Sequence, residues 1–242
     1  MTVLGPAQRS PATATTAFLY RVDGSASWTV GTAHIIVSVS GPMEVNKRDE
    51  LPDVATLEIV VRPDVGVAST REQFLQDRIR RVVGPVIALE LHPRTLIQIV
   101  VQIVQSGDTK TLNTIALSAS INATYMALLD AGVPLRSTVS ATSIVCYGTS
   151  SIQGGLTTGV LIDPTRPELE KIEKDITSVH TIAYELKGGQ IERLLLSESV
   201  GTFTEDEVFE CYDTAAKVCE ETNGTMREAV TKSVQQKGGW RD

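Results

Sequence analysis

Histidines, a pair of carboxylates and a run of arginines are the side chains whose types and spacing could do chemistry in this sequence. His34, His92 and His180 could bind a metal or move a proton. Each falls in or beside a β-rich run, where a histidine satisfied by a structural hydrogen bond is the commoner arrangement. Asp163 and Asp175 lie twelve positions apart near the start of a strand and could hold a divalent cation or act as general acid and base. Asp163-Pro164 equally opens a helical turn, and that reading ranks first. The segment Gly107-Asp108-Thr109-Lys110-Thr111 has some of the composition of a phosphate loop but not its glycine spacing, so a turn leading into a helix is expected. The Ser, Thr and Gly residues from Tyr147 to Leu156 could offer amides to a phosphate, although a solvated insertion is the expectation. Cys146, Cys211 and Cys219 have neither metal-ligand spacing nor an even number, so neither a zinc site nor a disulfide framework is expected, and no cofactor.

Composition limits what those residues can serve. With 242 residues and 42% hydrophobic content the chain can bury a large core, and with only 5% aromatics that core must be built from branched aliphatics. A net charge of −7 argues against a protein that grips nucleic acid over its whole surface, because phosphate affinity comes mainly from Lys and Arg displacing counterions. A local basic stripe stays open. No apolar run is long enough for a signal peptide or a membrane span, and a reducing interior compartment fits the free thiols. Without a secretory signal the glycosylation sequons at Asn122 and Asn223 carry no weight.

The elements that must position these residues follow from periodicity. β-rich runs at Ala17–Val22, Trp28–Val30, Ala33–Val39 and Ala55–Val61 read as an antiparallel meander, with Asp23-Gly24 as the first hairpin turn. Phe74, Leu75, Ile79, Val82 and Val83 share one helical face, and Thr70 with Gln73 forms a possible capping box. Thr95–Gln105 reads as a long strand and Leu112–Leu129 as a small-residue helix closed by Gly132 and Pro134. Strands follow at Thr138–Tyr147, Gly159–Ile162, Ser178–Leu186 and Gln190–Leu196, then a last helix over Glu205–Ser233 capped by Thr204 with Glu207. Residues 1–16 and 235–242 are expected as flexible tails, and 148–158 and 166–175 as exposed loops. The pattern predicts one α+β domain over 17–234, built from two related halves meeting near 132–136.

Particular segments also resemble a known family. Gly31-Thr32-Ala33-His34-Ile35-Ile36-Val37-Ser38-Val39-Ser40-Gly41-Pro42-Met43-Glu44, then Arg48-Asp49-Glu50-Leu51-Pro52 and Leu57-Glu58-Ile59-Val60-Val61-Arg62-Pro63, resemble the N-terminal signature of the RNase PH family. Thr70-Arg71-Glu72, Ser120-Ile121-Asn122-Ala123, Ala127 to Gly132, and Ile162-Asp163-Pro164-Thr165 before Ser178-Val179-His180-Thr181 extend the match over most of the chain from Ala17. The likeness is greatest to the ring subunits of the eukaryotic RNA exosome.

That resemblance implies an RNase PH fold of duplicated βαβα-type units with mixed and antiparallel sheets, and a heteromeric ring with other RNase PH-like subunits and cap subunits around an RNA channel. It also implies a nuclear, nucleolar and cytoplasmic location, with no membrane. Active members attack RNA from its 3′ end with inorganic phosphate. Laid on this chain without gaps, their phosphate-holding Thr-Arg pair falls on Ala116 and Leu117, neither of which can bind phosphate. Of the family's acids, Asp163 sits near the first, while the second falls near Thr177 with Asp175 out of register. The expectation is a non-catalytic ring subunit supporting 3′-to-5′ RNA degradation and processing, including ribosomal RNA maturation. An active phosphate-dependent exoribonuclease and a free-standing RNA- or DNA-binding module are the alternatives. Arg71, Arg78, Arg80, Arg81, Arg94 and Lys110 are candidate phosphate contacts, weighed against ordinary solvated or subunit-bridging charges.

Overall fold

The computed structural model describes residues 8–108, 114–150 and 156–237. The element order is β1 (Gln8–Arg9), β2 (Ala12–Thr16), β3 (Gly24–Val30), β4 (Ala33–Glu44), β5 (Thr56–Arg62), α1 (Thr70–Val83), β6 (Thr95–Gln105), α2 (Thr114–Asp130), β7 (Thr138–Ser150), β8 (Leu156–Ile162), α3 (Arg166–Ile172), β9 (Ile176–Lys187), β10 (Gln190–Gly201) and α4 (Glu205–Lys237).

The strands form two five-stranded sheets, β2-β3-β4-β6-β5 and β1-β8-β7-β9-β10. In the first, β5 runs parallel to β6 while the other pairs are antiparallel, so the expected antiparallel meander stops at β4. The cause is α1: a helix between two neighbouring strands carries the chain back to the end where β5 began, and β6 then leaves in the same direction. The second sheet takes the short β1 as a parallel partner of β8.

Helix α2 packs against β3 and β4 of one sheet and β7 and β9 of the other, so it has no wet face. Every residue from Thr114 to Leu128 is buried, which its run of Ala, Ser, Ile and Leu permits by keeping side chains small enough for close approach on all sides. Its C-terminal end meets β3 so closely that a Cβ on Gly24 would lie 2.4 Å from the Ala127 carbonyl oxygen. Gly24 is therefore a packing residue within β3 and not the hairpin turn expected of Asp23-Gly24. Asp23 instead accepts a hydrogen bond from the Gly41 amide at 2.8 Å. Helix α4 covers the opposite face of the second sheet, where Cys211, Ala215, Val218 and Cys219 pack on Ile144, Ile162, Ile182 and Leu186.

Several local expectations are corrected. The capping box of α1 is Ser69 with Glu72, one residue earlier than Thr70 with Gln73. Residues 8–16, expected as a flexible tail, carry β1 and β2, and the strand read at Ala17–Val22 lies instead at Ala12–Thr16, where it pairs with β3. Part of the expected loop at 148–158 is a hairpin, with Gly148 opposite Thr158 and Ser150 opposite Leu156; residues 151–155 lie outside the described residues. The expected loop at 166–175 contains α3, which Thr165 and Glu168 cap and a proline in the first turn pre-sets. At the other end α4 runs to Lys237, which leaves 238–242 of the expected tail outside the description. Among the described residues no helix is long and apolar enough to cross a membrane.

Candidate functional site

The start of α2 is where the resemblance to the RNase PH family puts the phosphate contact of its active members. Ala116 and Leu117 are 0% and 1% exposed, in the core between the two sheets, so neither side chain faces an opening. The free amides of the first turn would suit an anion. Two of them are already taken by the protein's own carboxylate: Asp108 Oδ1 accepts from Ile115 N at 2.9 Å and Oδ2 from Ala116 N at 3.0 Å. Arg71 approaches the same carboxylate at 3.5 Å from α1. Burial pushes the Asp108 carboxyl up to about 6, against the pull of the two amides and of Arg71, so at neutral pH it is an ionised internal cap.

The two carboxylates considered as a pair do not converge. Asp163 is 5% exposed and accepts from Ser143 N at 2.9 Å, Ser143 Oγ at 3.1 Å and Thr142 Oγ1 at 3.2 Å, with the Arg9 guanidinium 4.0 Å away. Burial raises its pKa, opposed by Ser143 and the Arg9 charge. Asp175 is exposed and contributes its carbonyl to Gly148 N, five residues further along β7 than the Ser143 carbonyl that holds Asp163. Five residues of strand span about 17 Å, too far for one cation to bridge the two sites. The Asp163 carboxylate thus ties β8 to β7, and Asp163-Pro164 leads into α3, the helical turn expected there.

The candidate RNA-contact residues do not form one stripe. Arg78 bonds Glu198 at 2.8 Å and lies over the Phe74 ring, Arg81 pairs with Asp77 at 2.9 Å, and Arg94 pairs with Glu50 at 3.5 Å. Arg94 precedes β6 while Arg71 reaches Ser106 and Asp108 beyond its far end, a separation of about 37 Å along an eleven-residue strand. Arg80 is exposed and makes no ion pair among the described residues, and it lines a shallow cleft with Glu44, Asp49 and Glu58. Lys110 lies outside the described residues.

Of the histidines, His34 is bonded to Ser27 at 2.8 Å and His180 to Ser178 and Ser199, while His92 is half-buried in the loop before β6. His180 has a further neighbourhood that spacing did not reveal. The sulfurs of Cys146 and Cys211 lie 3.7 Å apart, and with a His180 ring nitrogen they fall within 4.8 Å of one another, all buried. The register of β7 against β9, with Cys146 opposite Ser178, and the docking of α4 create this grouping. No sequence interval carries it. Arg9, in the segment expected as a tail, was also missed: it reaches Asp163 and, on α4, Glu221 and Thr222.

Three comparisons bear on what this arrangement is for. The profile described as "3′ exoribonuclease family, domain 1" (RNase PH) matches residues 8–134. The "Exosome complex component RRP46" of Saccharomyces cerevisiae is 37% identical over 219 residues, covering 89% of this chain and 93% of that protein. Its Schizosaccharomyces pombe namesake is 33% identical over 221 residues, covering 91% and 90%. Among solved structures, rice (Oryza sativa) Rrp46 superposes with a TM-score of 0.74 at 25% identity, covering 92% of this chain and 96% of that one.

Proposed function

Because this chain belongs to the RNase PH family of 3′ exoribonucleases, we propose that it is a structural subunit of the RNA exosome ring. In this role it supports 3′-to-5′ degradation and processing of RNA, ribosomal RNA included, without carrying out phosphorolysis itself. The observation that carries the reading is the self-capped start of α2, where Asp108 occupies the amides of Ile115 and Ala116 and Leu117 is packed in the core. Phosphorolysis needs its attacking phosphate held by cations and donors, and an anion brought to this turn would meet a carboxylate of its own sign. The separation of Asp163 from Asp175 supports the same reading, because no acid pair converges there.

Ring neighbours, cap subunits and RNA passing through the channel are the proposed partners, and the nucleus, nucleolus and cytoplasm the proposed locations. The acid-paired arginines of α1 suit charge-matched contacts within an assembly better than a free-standing nucleic-acid surface, where unpaired cations are required.

Phosphate-dependent release of nucleoside diphosphates from single-stranded RNA tests the proposal, with the purified chain alone and with ring partners. The expected rate is that of the buffer blank in both settings. Release by the chain that disappears in an Asp175→Ala variant would overturn the reading, since that exposed carboxylate can be removed without disturbing the core.

A further inference from the structure

Cys146 on β7, Cys211 on α4 and His180 on β9 face one another in the core between the second sheet and α4, away from the start of α2. Four observations bear on what this cluster holds. The sulfur separation of 3.7 Å is that of two thiolates on one tetrahedral metal, for which bonds of about 2.3 Å give an edge of about 3.8 Å. The His180 ring is oriented through both nitrogens: Ser199 Oγ lies 2.8 Å from Nδ1 and Ser178 Oγ 3.0 Å from Nε2. Ser178, whose Oγ bonds Nε2, is opposite Cys146 in the strand register, so a metal held by Nε2 would leave Nδ1 to donate to Ser199, the outer contact a ligating histidine normally has. Finally, Glu207 and Glu210 of α4 bring negative charge towards Cys211, and Glu210 Oε2 is buried with no hydrogen-bond partner.

We propose that Cys146, His180 and Cys211 form a structural site for a divalent, thiolate-preferring cation of the Zn²⁺ class, which ties α4 to β7 and β9. Charge decides the class. Binding releases one proton from each thiol, and two thiolates with a neutral imidazole cancel a 2+ ion, whereas a monovalent ion would leave net negative charge buried beside Glu207 and Glu210. Oxygen-preferring cations are disfavoured by the sulfur ligands. Ser178 Oγ offers an oxygen for the fourth position, and closing the triangle from its 4.8 Å limit requires ring and sulfurs to draw together by about 1 Å.

The test uses the full chain purified in reductant without chelator, its metal content measured by mass spectrometry, followed by titration of the metal-free chain with Co²⁺ and competition by Zn²⁺. About one metal per chain is expected, with the near-ultraviolet charge-transfer absorption of Co²⁺ bound to thiolate. That signal reads sulfur ligation in the wild type and depends on no variant folding. The Ser199→Ala variant, which removes only the outer contact to Nδ1, is expected to bind about 10- to 100-fold more weakly. Cys219→Ser, outside the cluster, is expected to bind as wild type. A folded chain with free thiols and no charge-transfer band would overturn the proposal, and so would a Cys146–Cys211 disulfide whose reduction restores no metal binding.

Discussion

The two sheets of this molecule are similar in size and differ in how they are kept dry. In the first, β4 and β6 alternate buried and half-exposed residues, because α1 and α2 cover one face only and the other is left with His34, Ser38, Gln98 and Gln102. In the second, β9 is buried without interruption from Ser178 to Glu185 and beyond, because α2 covers one face and α4 the other. The sheet with less polar surface to present has the more polar interior: Ser140, Thr142, Ser143, Ser178, His180 and Thr181 are all buried there. A sheet with one wet face can place its polar residues outside. A sheet covered twice must satisfy them by hydrogen bonds, and its stability then depends on particular partners as well as on apolar volume.

Substitutions that attack one sheet's mode of support should sharpen this contrast. The largest loss is expected from the apolar side. Trp28, 1% exposed on β3, leaves a large cavity as Trp28→Ala, with about 3–5 kcal/mol lost in urea unfolding followed by circular dichroism. On the polar side, Asn122 of α2 donates to the Ala141 carbonyl and accepts from the Ala141 amide, both at 2.8 Å, where, among the described residues, β7 has no strand neighbour beyond β9. Its side chain stands in for a missing strand. Asn122→Ala is expected to cost about 2–4 kcal/mol, by leaving two buried backbone groups unpaired, and to speed hydrogen exchange at the Ala141 amide. Equal losses from Asn122→Ala and Asn122→Leu would point to the hydrogen bonds, whereas recovery in the leucine variant would assign the effect to volume.

Between the sheets, Asp108 gives a pH signature. Its carboxyl, near 6 in the folded chain against an ordinary 3.8, holds a proton that the unfolded chain has released. The stabilisation from that proton is complete below about pH 4 and lost by about pH 6, amounting to about 3 kcal/mol. Urea midpoints at several pH values should show this downward slope for the wild type and a flatter profile for Asp108→Asn. The smallest effect is expected at the surface: Arg81→Ala breaks a half-exposed ion pair with Asp77 and should change stability by about 0.5 kcal/mol or less.

The same difference in covering explains what could be read from the sequence. β4, β6 and α1 were legible because one wet face imprints a period on the residues. Helix α2 was legible by its small-residue run and its Gly132 stop, but its burial on every side was not, since that depends on the second sheet. β2 was missed because Ala12-Thr13-Ala14-Thr15-Thr16 looks like a low-complexity tail and becomes a strand only by pairing with β3. The parallel pairing of β5 was available in principle from the helix that separates it from β6, as was α3 from Pro167 and the Thr165–Glu168 box. At the candidate site, the expectation that Ala116 and Leu117 hold no phosphate comes from the resemblance to the RNase PH family, not from any pattern in the residues themselves. The carboxylate of Asp108 that accepts from Ile115 and Ala116 could not be foreseen, because no local pattern marks a side chain seven and eight positions away as the partner of these amides. The Cys146–His180–Cys211 grouping joins residues from three elements, and no local pattern marks it.

The two-residue strand β1 has a consequence in time. Arg9 pairs with Ile162 on β8, about 150 residues later in the chain, and its guanidinium reaches Glu221 and Thr222 on α4, later still. A ribosome adding about 5–20 residues per second delivers β8 roughly 8–30 seconds after β1, and the α4 contacts about 3–12 seconds after that. Through that interval the first sheet can assemble while β1 waits without its partners. β1 is thus among the last of the described elements to find its place, because its strand partner lies about 150 residues later in the chain and the Arg9 contacts on α4 later still.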